Sequence, residues 1–130
     1  KEHDMQTIDL SGFTGTTDKY VHSLPMTPDL LLTEGVKYFA EEAGAYWFMD
    51  IVATEFVPKL SDEDYIIFIQ VTVDSDNGAV IIGSDGDKGD GPVILHTRTI
   101  EYTDLPTNST FNFILTVDYQ GTTLLLPSEY

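Results

Sequence analysis

The sequence predicts an α+β domain, in which a helical segment packs on one face of a mostly antiparallel meander of about five strands. The only long helical pattern covers residues 33–60 and carries the single tryptophan. From Tyr65 onward, apolar residues instead recur at every second position, in runs separated by turn-forming residues. Consecutive strands joined by tight turns pair antiparallel, so helices followed by strands predict this class. At 130 residues, the chain fits a single domain over residues 1–130.

Short elements precede the helical pattern. Residues 1–9 are predicted to form a loose N-terminal arm, and residues 10–17 are rich in turn-forming residues. Residues 19–24 form a predicted short strand, and the apolar run at residues 30–32 is predicted as an edge strand.

The helical segment is predicted as one broken helix or two helices. Thr33 is a suitable N-cap, because its hydroxyl can accept a bond from a free backbone amide. Gly44 falls within the pattern and predicts a break between helices at residues 34–43 and 45–57, and Pro58 ends the second. The second helix is apolar on most sides, which predicts burial against a sheet.

Five strands are predicted after the helical segment. The turn at residues 74–78 contains Asn-Gly, which favours a hairpin because both residues tolerate positive φ. The predicted strands cover residues 65–73, 79–83, 93–102, 111–117 and 122–126.

The composition excludes several classes of partner. Twenty-two acidic residues face six basic ones, for a formal net charge of -16. Nucleic acids and anionic membranes are polyanions, so neither is an expected partner. There are no cysteines, which excludes disulfides and thiolate metal sites, and no cofactor or metal site is predicted. The N-terminal sequence has no apolar core and no run is long enough to span a bilayer, so we expect a cytoplasmic protein.

The predicted meander places many acidic residues at one end of the sheet. The start of the first strand, the loop between the second and third, and the turn between the fourth and fifth share this end. We call the following residues the acidic rim: Asp62, Glu63, Asp64, Asp85, Asp87, Asp90 and Asp118. Lys88 alone opposes them, and the other end of the sheet carries Asp74, Asp76 and Asp104.

Three interpretations of the acidic rim stay open. The acids decorate solvated turns, they bind calcium, or they meet a basic protein surface. Residues 85–91 superficially resemble a calcium-binding loop, but the third Asp falls at position 6 and His96 at position 12, where the helix–loop–helix motif requires Gly and Glu. The spacing therefore argues against calcium.

A second candidate site lies on the helical segment. Asp50 is a carboxylate on an apolar helix, and perturbed carboxylates cluster at functional sites, although a structural acid with a hydrogen-bond partner is the alternative. With Tyr46, Trp47 and His22 it forms a candidate binding group, although aromatic residues at helical spacing more often belong to the core. His96 is predicted on a sheet face with a hydrogen-bond partner. No motif marks a catalytic nucleophile, so no catalytic residue is predicted.

Four motifs carry a resemblance over nearly the whole chain. They are Phe13-Thr14-Gly15-Thr16, residues 33–38 (TEGVKY), residues 44–47 (GAYW) with Asp50, and the C-terminal residues 126–130 (LPSEY). With these motifs the chain resembles a family of small uncharacterised proteins encoded by bacteria, phages and other mobile elements. The resemblance implies no established activity and supplies no catalytic residues.

These observations lead to two main hypotheses. The first is a non-enzymatic binding protein, encoded by a phage or mobile element, whose acidic or aromatic surface meets a basic host protein. The alternative is a small-molecule-binding or hydrolytic domain with a pocket between helix and sheet near Asp50, Tyr46 and His22. A structural role in a homo-oligomer, such as a homodimer, is a third hypothesis.

Overall fold

A computed structural model describes residues 10–13, 19–25, 27–87, 89–118 and 120–130 of the chain. The predicted N-terminal arm and His3 lie outside the described residues. The helical elements are α1 (Glu34–Glu42), α2 (Tyr46–Ile51), a π-helix (Val52–Phe56) and two 3-10 turns (Val57–Lys59 and Pro127–Glu129). The strands are β1 (Tyr20–His22), β2 (Leu30–Leu32), β3 (Ile66–Val73), β4 (Ala79–Ser84), β5 (Ile94–Ile100), β6 (Thr110–Asp118) and β7 (Gly121–Leu125).

The predicted break in the helical segment is a C-terminal cap of α1. Gly44 adopts a left-handed conformation with φ of 61°. The amide of Ala45 donates to the carbonyl of Ala40 at 2.8 Å, which is the long bond of a Schellman motif. Gly44 occupies the one position of this motif where a side chain would strain the backbone. Two helices with a sharp break therefore follow from a single glycine.

The helical segment covers one face of the sheet. In α1, Val36, Phe39 and Ala40 are buried while Glu41 and Glu42 face solvent, as an amphipathic helix requires. Phe39 and Phe48 then pack against Phe111 and Phe113 of β6, forming the centre of the core. In the described part of the chain, no helix has the length and apolar character needed to cross a membrane.

All seven strands belong to one sheet, in the order β1-β2-β7-β6-β3-β4-β5. The predicted meander is therefore wrong in two respects. The sheet has seven strands rather than about five, because β1 and β2 join it. The strand β6 also pairs with β3 instead of β5. Every pairing is antiparallel except the parallel pairing of β2 with β7.

The connection between β5 and β6 explains the altered order. Residues 101–109 cross the end of the β3–β4 hairpin instead of forming a tight turn. The amide of Thr103 donates to the carbonyl of Asn77 at 2.8 Å. The amide of Asn108 donates to the carbonyl of Asp74 at 3.3 Å. Leu105, in the middle of this segment, is buried. The chain thus passes β4 and enters the sheet beside β3.

The strand β2 lies inside the sheet and not at its edge, contrary to the prediction. It pairs with β1 on one side and with β7 on the other, and Leu30 and Leu32 are buried. The edge strands are β1 and β5. A parallel neighbour for β2 requires a long connection, which α1, α2 and the intervening strands provide.

The C-terminal 3-10 turn caps α1. The Thr33 hydroxyl does not accept a helix amide as predicted, but donates to Glu129 Oε1 at 2.6 Å. Glu129 Oε2 accepts the amide of Gly35 at 3.0 Å, and Oε1 also accepts the amide of Leu126 at 3.1 Å. One carboxylate near the chain terminus therefore takes the N-cap role at the start of the helix.

Candidate functional site

The residues of the acidic rim lie at one end of the sheet. The altered strand order leaves the strand directions unchanged, so the start of β3, the β4–β5 loop and the β6–β7 turn still share one end. Because β6 lies beside β3, the start of β3 falls between the other two acidic segments. Five rim residues are exposed and two are half-buried; the half-buried ones are Asp64 and Asp85.

Three carboxylates of the acidic rim also hold its loops in shape. Asp85 Oδ1 accepts the amide of Val93 at 2.9 Å across the base of the β4–β5 loop. Asp87 Oδ1 accepts the amides of Gly89 and Gly91, each at 2.9 Å. Asp118 Oδ1 accepts the amide of Gln120 at 2.8 Å in the β6–β7 turn. These bonds fix the positions of the three side chains within their loops.

Little positive charge accompanies the rim in the described residues. Lys59 is exposed just before the start of β3. Lys19 donates to the side chain of Gln120 at 2.6 Å, which brings its ammonium group near the β6–β7 turn. Lys88 lies outside the described residues. Seven acids thus share this end of the sheet with two described lysines.

A metal site is not assembled within the described ranges, where no group of three or more potential metal ligands comes together. The β4–β5 loop instead turns its Asp85 and Asp87 carboxylates towards its own amides. Gly86 lies against the ring of Phe68, and a Cβ added there would approach that ring to 2.3 Å. The loop is therefore folded onto the sheet.

An open cleft of about 520 Å³ adjoins the rim. It lies at the acidic end of the core face, beyond the point where the helical segment stops covering the sheet. We call it the rim cleft, and its lining residues are Val57, Leu60, Ser61, Asp62, Tyr65, Val117 and Thr122. Asp62 belongs to both the cleft and the acidic rim, so the two features form one continuous surface.

Three of the four residues of the candidate binding group, Asp50, Tyr46 and His22, lie together around the His22 ring. His22 Nε2 lies 2.7 Å from Asp50 Oδ1, and the His22 and Tyr46 rings stack with centroids 5.9 Å apart. The Asp50 side chain is 50% exposed, whereas the His22 side chain is 15% exposed. Trp47 instead packs edge-on against Phe48 in the core. The group therefore ties β1 to α2.

His96 lies on a strand and has a hydrogen-bond partner, as predicted, but sequence reasoning missed the identity of that partner. His96 Nε2 lies 2.8 Å from Glu55 Oε1, and the other Glu55 oxygen accepts a bond from Arg98. His96 and Arg98 are two residues apart on β5 and so share one sheet face. Two basic side chains on one sheet face favour a carboxylate opposite them. Their spacing could therefore have indicated an acid on the helical segment that covers this face. Glu55 lies in the π-helix.

The two pairs tie both edges of the sheet to the helical segment. His22 lies on one edge strand and His96 on the other. Their carboxylate partners, Asp50 and Glu55, are five residues apart on that segment, a rise of roughly 7 Å.

Other concavities in the described part of the chain also lie away from Asp50. One of about 280 Å³ is lined by Phe13, Tyr20, Glu34, Lys37, Tyr38 and Glu41. There Lys37 lies 4.9 Å from the centre of the Tyr20 ring. The hydrogen bond that Glu41 accepts from Lys37 raises the pKa of that ammonium group. In this concavity Lys37 and Glu41 form an ion pair with each other.

Comparisons with known proteins place the chain in a family. Neither the curated proteins nor the solved structures contain a match to it. A family of unknown function, DUF6876, matches residues 5–130, which is nearly the whole chain. The protein is therefore a member of the DUF6876 family.

Proposed function

We propose that this protein is a non-enzymatic, cytoplasmic binding protein that uses the acidic rim to dock on a basic surface of another protein. The observation that carries the proposal is the gathering of seven acidic residues at one end of the sheet, in a chain with a formal net charge of -16. A dense negative surface attracts a basic partner over a distance and orients its approach. If a phage or mobile element encodes the protein, the partner is a host protein with a basic channel or groove.

The arrangement of the rim supports this function over simple decoration of turns. Asp85, Asp87 and Asp118 are held by backbone amides, so their charges occupy set positions. Charges that are fixed before binding lose less conformational freedom when a partner arrives. The opposite end of the sheet carries fewer predicted acids, namely Asp74, Asp76 and Asp104.

The geometry favours this function over the small-molecule or hydrolytic alternative. That alternative expects a concave pocket with convergent polar groups beside Asp50. The Asp50 carboxylate is instead half-exposed and bound to His22, and the concavities described above are lined by other residues. The His22–Asp50 pair lies between β1 and α2, where it joins two elements of the fold.

A charge-matched pair of variants tests the proposal. The rim variant carries Asp62→Asn, Asp90→Asn and Asp118→Asn, and the control carries Asp74→Asn, Asp76→Asn and Asp104→Asn at the opposite end. Asparagine keeps the side-chain oxygen that accepts turn amides, so both variants should fold. Each protein is used to capture partners from a bacterial lysate at about 50 mM and about 300 mM NaCl, because exposed charges are screened at the higher concentration.

We expect the wild type and the control to capture the same basic protein at low salt, and the rim variant to bind it about tenfold more weakly. The higher salt concentration should release it from all three proteins. Equal loss from both variants, or capture that does not respond to salt, would contradict docking through the rim.

A further inference from the structure

We propose that the rim cleft receives an apolar side chain of the basic partner, so that the protein recognises a segment in which Lys or Arg residues flank a Leu or Phe. This inference rests on the proposed function and specifies its ligand. It is carried by an uncovered extension of the hydrophobic core that opens within the acidic rim.

The floor of the rim cleft is a row of three side chains on neighbouring strands. Val117 of β6 pairs with Thr122 of β7. The Thr116 hydroxyl donates to the Tyr65 carbonyl at 3.2 Å, which places Tyr65 next to β6 at the start of β3. These side chains belong to the same sheet face as the core. They lie at the end of that face which the helices leave open.

Exposure changes abruptly along this face. Two residues further into the sheet, Ile67 and Leu115 are fully buried. Tyr65 is 56% exposed and Val117 is 42% exposed. The 3-10 turn at Val57–Lys59 forms a wall, with Val57 and Leu60 both half-buried. Apolar surface is thus left in contact with water inside a concave site, which is typical of an interaction surface.

The charge around the cleft selects the occupant. Asp62 lines the cleft, and Glu63 and Asp64 follow it in the chain. Lys59 is the one basic residue of the adjoining turn. Three acids against one lysine favour a cationic ligand over a neutral or anionic one. The same charge disfavours a second copy of this chain, whose net charge is also negative.

Two matched peptides test the inference. The first is a fluorescent peptide of alternating Lys and Arg with a central Phe, and the second carries Ser in place of Phe. Binding is measured by fluorescence anisotropy to the wild type, to the rim variant and its opposite-end control, and to a floor variant carrying Tyr65→Thr and Val117→Thr. Threonine keeps the charge and the strand preference while removing apolar surface. Val21→Thr is the control for the floor variant, because Val21 is 59% exposed on the edge strand β1.

We expect the wild type to bind the Phe peptide about tenfold more tightly than the Ser peptide, which is the effect of burying much of one aromatic side chain. The floor variant should lose this preference and keep its affinity for the Ser peptide. Val21→Thr should leave both affinities unchanged.

The remaining outcomes separate the two proposals. If the rim variant weakens both peptides but the Phe peptide has no advantage, or keeps its advantage in the floor variant, the cleft inference is overturned and docking through the rim stands. If the rim variant binds both peptides as well as the opposite-end control does, docking through the rim is overturned. A dimer that dissociates in the floor variant would assign the cleft to a second copy and also overturn the inference.

Discussion

At the scale of single residues, Glu129 joins the C-terminal turn to the start of α1. Its carboxylate accepts the Thr33 hydroxyl and the amides of Gly35 and Leu126. Gly35 makes this approach feasible, because a Cβ there would lie 2.5 Å from a Leu126 methyl group and 2.8 Å from Glu129 Oε1. The motifs at residues 33–38 and 126–130 are therefore parts of one contact.

Glu129→Ala should destabilise the protein by about 2–3 kcal/mol, because it leaves the buried Thr33 hydroxyl and the Gly35 amide without their acceptor. Urea unfolding followed by circular dichroism measures the change. Glu42→Gln is a matched control on the exposed side of α1 and should change stability by less than about 0.5 kcal/mol. Similar stability of Glu129→Ala and wild type would show that the carboxylate is not the cap.

At the scale of elements, the helical segment is organised by its break and by its ties to both sheet edges. Gly44 ends α1 and redirects the chain into α2. His22 on β1 and His96 on β5 then bind Asp50 and Glu55 of the same segment. The segment thus lies across one face of the sheet and leaves the rim cleft uncovered at the end of the Val57–Lys59 turn.

Gly44→Ala should cost about 1 kcal/mol of stability, because alanine disfavours a φ of 61°. The effect is purely one of backbone conformation, since a Cβ at Gly44 meets no atom within 4 Å. Gly12→Ala is the control: its Cβ is equally unobstructed and its φ is not in the left-handed region. The two variants are compared by urea unfolding, and an equal response would contradict the role of Gly44 in the cap.

At the scale of the whole molecule, the excess of acidic residues opposes folding. The charges repel one another most in the compact state, and salt reduces this repulsion. Much of the repulsion falls at the acidic rim, where the fold brings seven acids together from three separate segments.

Raising NaCl from about 10 mM to about 150 mM should increase Tm by about 2–6 °C, because the Debye length falls from about 30 Å to about 8 Å. Thermal unfolding is followed by circular dichroism, and the rim variant should show a smaller increase than wild type. Calcium chloride at equal ionic strength is the control. A much larger stabilisation by calcium would indicate a bound cation in place of general screening.

Local sequence patterns determined the secondary-structure elements of this protein and the directions of its later strands. The period of apolar residues placed both helices and the five later strands, and Gly44 placed the break. Strand directions also followed from the sequence, because consecutive strands alternate in direction whichever neighbours they choose. For this reason the three acidic segments share one end of the sheet, even though the predicted strand order was wrong.

Tertiary structure decided the features that depend on partners distant in the chain. Residues 101–109 have a composition that suits either a tight turn or a crossing, and only their bonds to the β3–β4 hairpin place β6 beside β3. The short strand β2 becomes interior only because β7 pairs with it. Glu129, Glu55 and the rim cleft likewise acquire their roles from residues far away in sequence. Such contacts depend on which distant surfaces fit together, and local periodicity does not report that fit.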